Sequence, residues 1–177
     1  MRKLLALLFF MAPFSTWAQD LPVEPIIDNL LPERTGPVVQ GASEALVRGI
    51  QRNKPIPEFI DLPKTQLVVP FEGQTHRLTE PGMRALRSIG SALKDPRLVG
   101  STFQIGSHVY VQGDNSASQT LATRRANAIV EHLSVFYGFE SGTLVAVGYG
   151  ATSPFDISQA AHPMNQRIEI VNLSPLE

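Results

Sequence analysis

The sequence predicts an α+β domain: a mixed four-stranded sheet with helices packed on one face, preceded by a proline-rich extension. Three observations predict it. From Gln66 onward, short β-branched runs alternate with two long amphipathic segments in the order strand, helix, strand, helix, strand, strand. The last two strands follow one another without an intervening helix, which points to a sheet of mixed direction. Upstream, seven prolines (Pro22, Pro25, Pro32, Pro37, Pro55, Pro57, Pro63) crowd the stretch from Gln19 to Lys64, where each removes a backbone donor and restricts the residue before it.

Taken in order, residues 1–18 read as a signal peptide. Arg2 and Lys3 form a positive start, Leu4 to Phe14 is apolar apart from Pro13, and Thr16-Trp17-Ala18 offers small residues for cleavage after Ala18. That apolar run is too short for a bilayer core, which needs about 20 residues, and no later run is longer. No transmembrane segment is therefore expected once the leader is cut. Residues 19–65 read as a tether with one short helix near 42–52, where Ala42, Leu46, Val47 and Ile50 share a face. Either that helix packs on the following domain, or the stretch docks on another envelope protein, for which Ile26, Ile27, Leu30 and Leu31 supply a second apolar cluster.

The domain is expected over 66–173, with a tail at 174–177. Its first strand is Gln66 to Phe71. Thr79 then caps a helix with Pro81 in its first turn and Met83, Leu86, Ile89, Gly90 and Leu93 at helical spacing, stopped by Asp95-Pro96. Thr102 to Val111 alternates as a strand, and Gln112 to Ser118 is a polar loop. A helix from Gln119 to Tyr137 ends at Gly138. Leu144 to Tyr149 and Arg167 to Leu173 complete the sheet.

Composition narrows the function. Fifteen Lys and Arg face sixteen Asp and Glu, so the net charge is −1 and the basic excess of a nucleic-acid groove is missing. Without cysteine there is no thiolate nucleophile, Cys-based zinc site or acylated anchor. His76, His108, His132 and His162 form no metal-ligand pair, and no G-x-S-x-G elbow is present. The expectation is a non-enzymatic protein with no cofactor and no metal.

The second helix holds the most informative anomaly. Leu121, Ala128, Ile129, Leu133 and Phe136 define an apolar stripe, and Arg125 falls near its middle. A guanidinium there needs water or an acceptor. Its stem can cross the apolar face and present the charge at the sheet rim to a carboxylate, or it can meet an internal acceptor such as Asp114 or a loop carbonyl. Asn115, Ser116 and Ser118 read most simply as helix caps.

The run SHVYVQGDNSASQTLATRRANAIVEHL resembles the G-H-T-D-x-x-G-x-x-x-x-N-x-x-L-S-x-R-R-A segment of OmpA-like peptidoglycan-binding domains. VGYGATSP and HPMNQRIEIV resemble their G-x-G-x-x-x-P and N-x-R-[IV]-E-[IV] endings. The resemblance spans about residues 66 to 173 and implies a βαβαββ fold that binds the diaminopimelate-containing stem peptide of peptidoglycan without catalysis. In that mode an aspartate takes the ammonium of diaminopimelate and an arginine fifteen residues later takes its carboxylate. His108 matches the family histidine, Gly113 the loop glycine, Leu121 the helix leucine, Arg125 the ligand arginine, and Asn165 with Arg167 the closing pair. Tyr110 occupies the aspartate position, Ser107 replaces a glycine, and Ser118 stands for the asparagine.

A neutral phenol accepts a hydrogen bond but cannot balance an ammonium, unless Asp114, four residues on, substitutes. Two functions follow: peptidoglycan binding through Arg125, Tyr110, His108, Asp114, Ser118, Leu121, Asn165 and Arg167, or a degenerate scaffold for protein contacts in an envelope-spanning secretion, conjugation, pilus or motility assembly. The expected location is the periplasm, with association to the outer membrane or the cell wall left open.

Overall fold

The computed structural model describes residues 20–32, 38–39, 51–56, 60–156, 159 and 162–174. The elements are α1 (Val23–Leu30), β1 (Val38–Val39), β2 (Ile60–Asp61), β3 (Lys64–Leu67), α2 (Glu80–Leu93), β4 (Phe103–His108), α3 (Asn115–Tyr137), β5 (Leu144–Gly150) and β6 (Ile168–Asn172). The leader expected at 1–18 and residues 42–50 of the helix expected at 42–52 lie outside the described residues. Gln51 and Arg52 are not helical: Lys54 N–H donates to Gln51 O at 3.0 Å and closes a turn.

Four strands form one sheet in the order β3-β6-β4-β5, and β1 pairs separately with β2. β4 and β5 run parallel, while β6 is antiparallel to both β4 and β3. This is the mixed α+β architecture that the late strand pair predicts. Because side chains alternate across a strand, Phe103 and Ile105 of β4 and Ile168 and Ile170 of β6 point to one face. There they meet Leu86, Ile89 and Leu93 of α2 and Ile129 and Leu133 of α3 in the main core.

Both helices start and stop by local chemistry. Thr79 Oγ1 accepts from Gly82 N–H at 3.1 Å, with Pro81 in the first turn where no donor is needed. Gly138 closes α3 in the left-handed region at φ 62°, its N–H donating to Ser134 O.

Two expectations change. The stretch read as a tether contributes α1, whose Ile26, Ile27 and Leu30 are buried in the main core. Pro22 is its N-cap and Pro25 lies in its first turn, positions where a missing N–H costs nothing. The apolar cluster assigned to another protein thus seats on the chain's own domain. Asn172 Nδ2 pins it by donating to Leu30 O at 2.9 Å, and Arg97 pairs bidentately with Glu24 at 2.8 and 3.1 Å. Phe136, placed on the buried stripe of α3, is 70% exposed and lies against His132 with ring centroids 4.5 Å apart. On the same last turn Tyr137, not Phe136, faces inward and packs over Gly90 of α2.

Candidate functional site

The loop between β4 and α3 is built by three short contacts. Asp114 caps α3, its Oδ1 accepting from Ala117 N–H at 2.7 Å. Ser118, one turn on and fully buried, accepts from Val111 N–H at 2.8 Å and donates to Asp114 O at 2.8 Å. Asp114 is therefore the cap in place of Asn115, Ser116 or Ser118, and α3 begins four residues earlier than Gln119. Its carboxylate already serves a backbone donor at the helix N-terminus, which opposes a swing toward an ammonium. Tyr110 is half-buried at the head of this loop, and Leu121 is half-buried on α3.

Arg125 is only 4% exposed. Its Nε donates to Thr75 O at 2.8 Å, Nη2 to Gly73 O at 2.7 Å and Nη1 to Gln166 Oε1 at 3.2 Å. The guanidinium carbon lies 4.6 Å from the Phe71 ring centre. Of the two fates open to this cation, the structure selects the internal one, with carbonyls of the β3–α2 loop as acceptors in place of Asp114. Burial holds its pKa below the usual arginine range. Among the described residues no carboxylate forms an ion pair with it, so neutral oxygens alone compensate its charge.

The remaining family positions are structural in their contacts. Asn165 is buried, accepts from Asp156 N–H at 3.0 Å and donates to Asp156 O and Gln159 O at 3.0 and 2.8 Å, knitting the loop before β6. Arg167 is buried and donates to Met164 O and Ser153 O, each at 3.2 Å, while its Nε finds no acceptor among the described residues. His108 is buried on the sheet face opposite the helices and stacks on Tyr149 with centroids 4.5 Å apart. Burial first, and the Arg167 cation second, push its pKa down to about 3 against an opposing pull from the Ser153 backbone. That backbone contact falls outside hydrogen-bond geometry, and neither imidazole nitrogen has a partner among the described residues.

The structure thus brings Asp114 and Ser118 together at the start of α3, puts Arg125 against the β3–α2 loop, and sets His108 and Arg167 on the far face. Residues the sequence did not single out complete the picture. Gly73, Thr75 and Phe71 form the arginine cradle, and their only local signal was a glycine-bearing polar turn after the first strand. Gln104 and Tyr149 share a buried hydrogen bond of 2.8 Å on the face opposite the helices. No group of three or more metal-ligating side chains occurs among the described residues, and no helix among them is long and apolar enough to cross a membrane.

A βαβαββ order, a sheet of order β3-β6-β4-β5 and an arginine set into the second long helix define the class of module found in envelope proteins of the OmpA type. A family model described as "OmpA family" matches residues 70–167, more than half of the chain, and the chain belongs to that family. Outer membrane porin F of Pseudomonas aeruginosa is 28% identical over 115 residues, which cover 64% of this chain and 32% of the porin. The chain spans about a third of that relative's length.

Among solved structures, a putative MotB-like protein from Desulfovibrio vulgaris aligns with a TM-score of 0.52 at 19% identity, covering 62% of this chain and 71% of that one. The periplasmic domain of Helicobacter pylori MotB (residues 78–256) gives 0.51 at 21%, covering 62% and 74%. The OmpA-like domain of FopA1 from Francisella tularensis gives 0.50 at 20%, covering 60% and 69%. At these identities the likeness is one of fold.

Proposed function

We propose that the chain is a non-catalytic cell-envelope protein whose OmpA domain works as a scaffold for protein contacts and lacks the two-point grip on diaminopimelate. The observation that carries this reading is Arg125, 4% exposed and bonded to three of the chain's own oxygens. A stem-peptide carboxylate has to displace bonds to Gly73 and Thr75 before reaching the guanidinium. Tyr110, where the family pattern has aspartate, offers no negative charge to the ammonium, and charge-assisted bonds are about twice as strong as neutral ones. Residues 1–18 read as an export leader, and the periplasm is the compartment that suits this family.

One observation favours the older family role, stem-peptide binding. The buried cation meets no carboxylate among the described residues, so a visiting anion would pair a charge now met by neutral oxygens alone.

Sedimentation of the mature chain with insoluble diaminopimelate-type sacculi separates the two readings. On the scaffold reading, wild type and Arg125→Ala both stay in the supernatant, and Tyr110→Asp gains binding or leaves the result unchanged. Wild-type protein that pellets with sacculi, and loses this in a folded Arg125→Ala variant, overturns the reading in favour of wall binding.

A further inference from the structure

The two outer strands close the sheet differently. β3 and β5 are the edges of the order β3-β6-β4-β5. β3 is four residues long and starts at Lys64 directly after Pro63, so it carries the charge and the missing donor that discourage a further strand. β5 runs seven residues, LVAVGYG, with no charge and no proline.

The register shows which of its backbone groups are free. Phe103 N–H donates to Thr143 O at 2.8 Å, and Ile105 lies opposite Ala146 in the parallel β4–β5 ladder. In such a ladder alternate residues turn both N–H and C=O to the same neighbour. Thr143, Val145 and Val147 therefore face β4, while Leu144, Ala146 and Gly148 turn theirs outward. The bond from Gln119 Nε2 to Gly148 O, 2.8 Å, agrees with that direction. Among the described residues nothing bonds the backbone of Leu144 or Ala146 on this side. Helix α3 rides directly over the strand: a Cβ on Gly148 would lie 2.7 Å from Thr123 N, and one on Gly150 3.1 Å from Gln119 Cα. Pairing with a second copy's β5 would set the two strands about 4.8 Å apart and bring together two overlying helices each about 10 Å across. The edge thus has room for a strand that brings no helix on that face.

We propose that the outer edge of β5 takes an antiparallel strand from another envelope protein by addition to the sheet. The incoming backbone bonds Leu144 and Ala146. Its side chains alternate: those beside Val145 and Val147, on the face away from the helices, are β-branched, and those beside Ala146 and Gly148, where α3 comes close, are small and uncharged. The biological use rests on the scaffold reading above. The pairing itself does not, because sacculus sedimentation interrogates Arg125 and the experiment here interrogates β5.

The probe is a synthetic peptide of alternating serine and valine with a lysine at each end, titrated into the isotope-labelled mature chain while amide hydrogen exchange is followed by NMR. In the free chain Ala146 should exchange faster than Val145 and Val147, whose N–H groups bond β4. With peptide at about ten times its Kd, exchange at Ala146 should slow about tenfold and that at Val145 and Val147 less than about twofold. The same peptide with N-methylated serines lacks the donors that face β5 and should leave Ala146 unchanged. No slowing at Ala146 overturns the proposal, as does equal slowing by the N-methylated peptide or a free chain that already protects Ala146 as well as Val145. A dimer in gel filtration that protects Ala146 without peptide assigns the edge to a second copy and overturns the partner assignment.

Discussion

Acid should destabilise this protein through one buried imidazole. His108 sits at about 3 in the folded chain against an ordinary value of 6.5, because burial and the neighbouring Arg167 cation disfavour its charged form. A base whose folded value is depressed contributes its full stability above 6.5 and loses it as pH falls through the window down to about 3. The whole gap corresponds to about 5 kcal/mol below both values, of which about 2 kcal/mol is lost by pH 5 and about 3 kcal/mol by pH 4. His108→Phe keeps an aromatic ring on Tyr149 and cannot titrate. Urea unfolding followed by far-ultraviolet circular dichroism at pH 7, 6, 5 and 4 reads the difference, since the only tryptophan, Trp17, lies in the expected leader. The wild type should lose about 3 kcal/mol more than the variant between pH 7 and pH 4, and the carboxylates common to both cancel. Parallel stability curves would refute a buried, neutral His108.

Other outcomes follow from the packing. Leu30→Ala, at a fully buried position of α1, should cost about 2–5 kcal/mol in urea unfolding. A shift below about 0.5 kcal/mol with an unchanged slope would return residues 23–30 to the status of a linker. Gly106→Ala forces its new methyl into the Tyr149 ring and should cost about 1–3 kcal/mol. It should also speed hydrogen exchange at the Ile56 amide, which donates to the Tyr149 hydroxyl at 3.2 Å, and unchanged exchange there would show that the ring's position does not govern that bond. Arg125→Met keeps the stem but strands the Gly73 and Thr75 carbonyls, for a loss of about 1–3 kcal/mol and faster proteolysis between 72 and 77. Equal or greater stability would show that the cation's desolvation outweighs its bonds.

Elements that rest on local chemistry were legible in the sequence. Thr79 with Pro81 opens α2, Gly138 ends α3, and the unbroken succession of the last two strands gives a mixed sheet. Features that rest on distant partners were not. Arg125 was recognisable as a buried-stem cation, but its acceptors come from 50 and 52 residues upstream and 41 downstream, a relation that no helical wheel contains. Gln104 and Tyr149 are separated by 45 positions, and each alone reads as an ordinary strand residue. Helix α1 was missed because prolines were counted without their position, although a first helical turn accommodates them. Phe136 was misplaced because the last turn of α3 is seated by Tyr137 over Gly90 of α2, a long-range contact that a helical wheel does not contain.

The bond from Asn172 to Leu30 joins positions 142 apart. On a ribosome α1 emerges ahead of α2 and β3, its main neighbours, and well ahead of β6, so Ile26, Ile27 and Leu30 find most of their cover before the Asn172 bond can form. The Asn172 bond is thus a late latch on a contact already made, and a nascent chain halted before β6 should hold α1 against α2 without that latch.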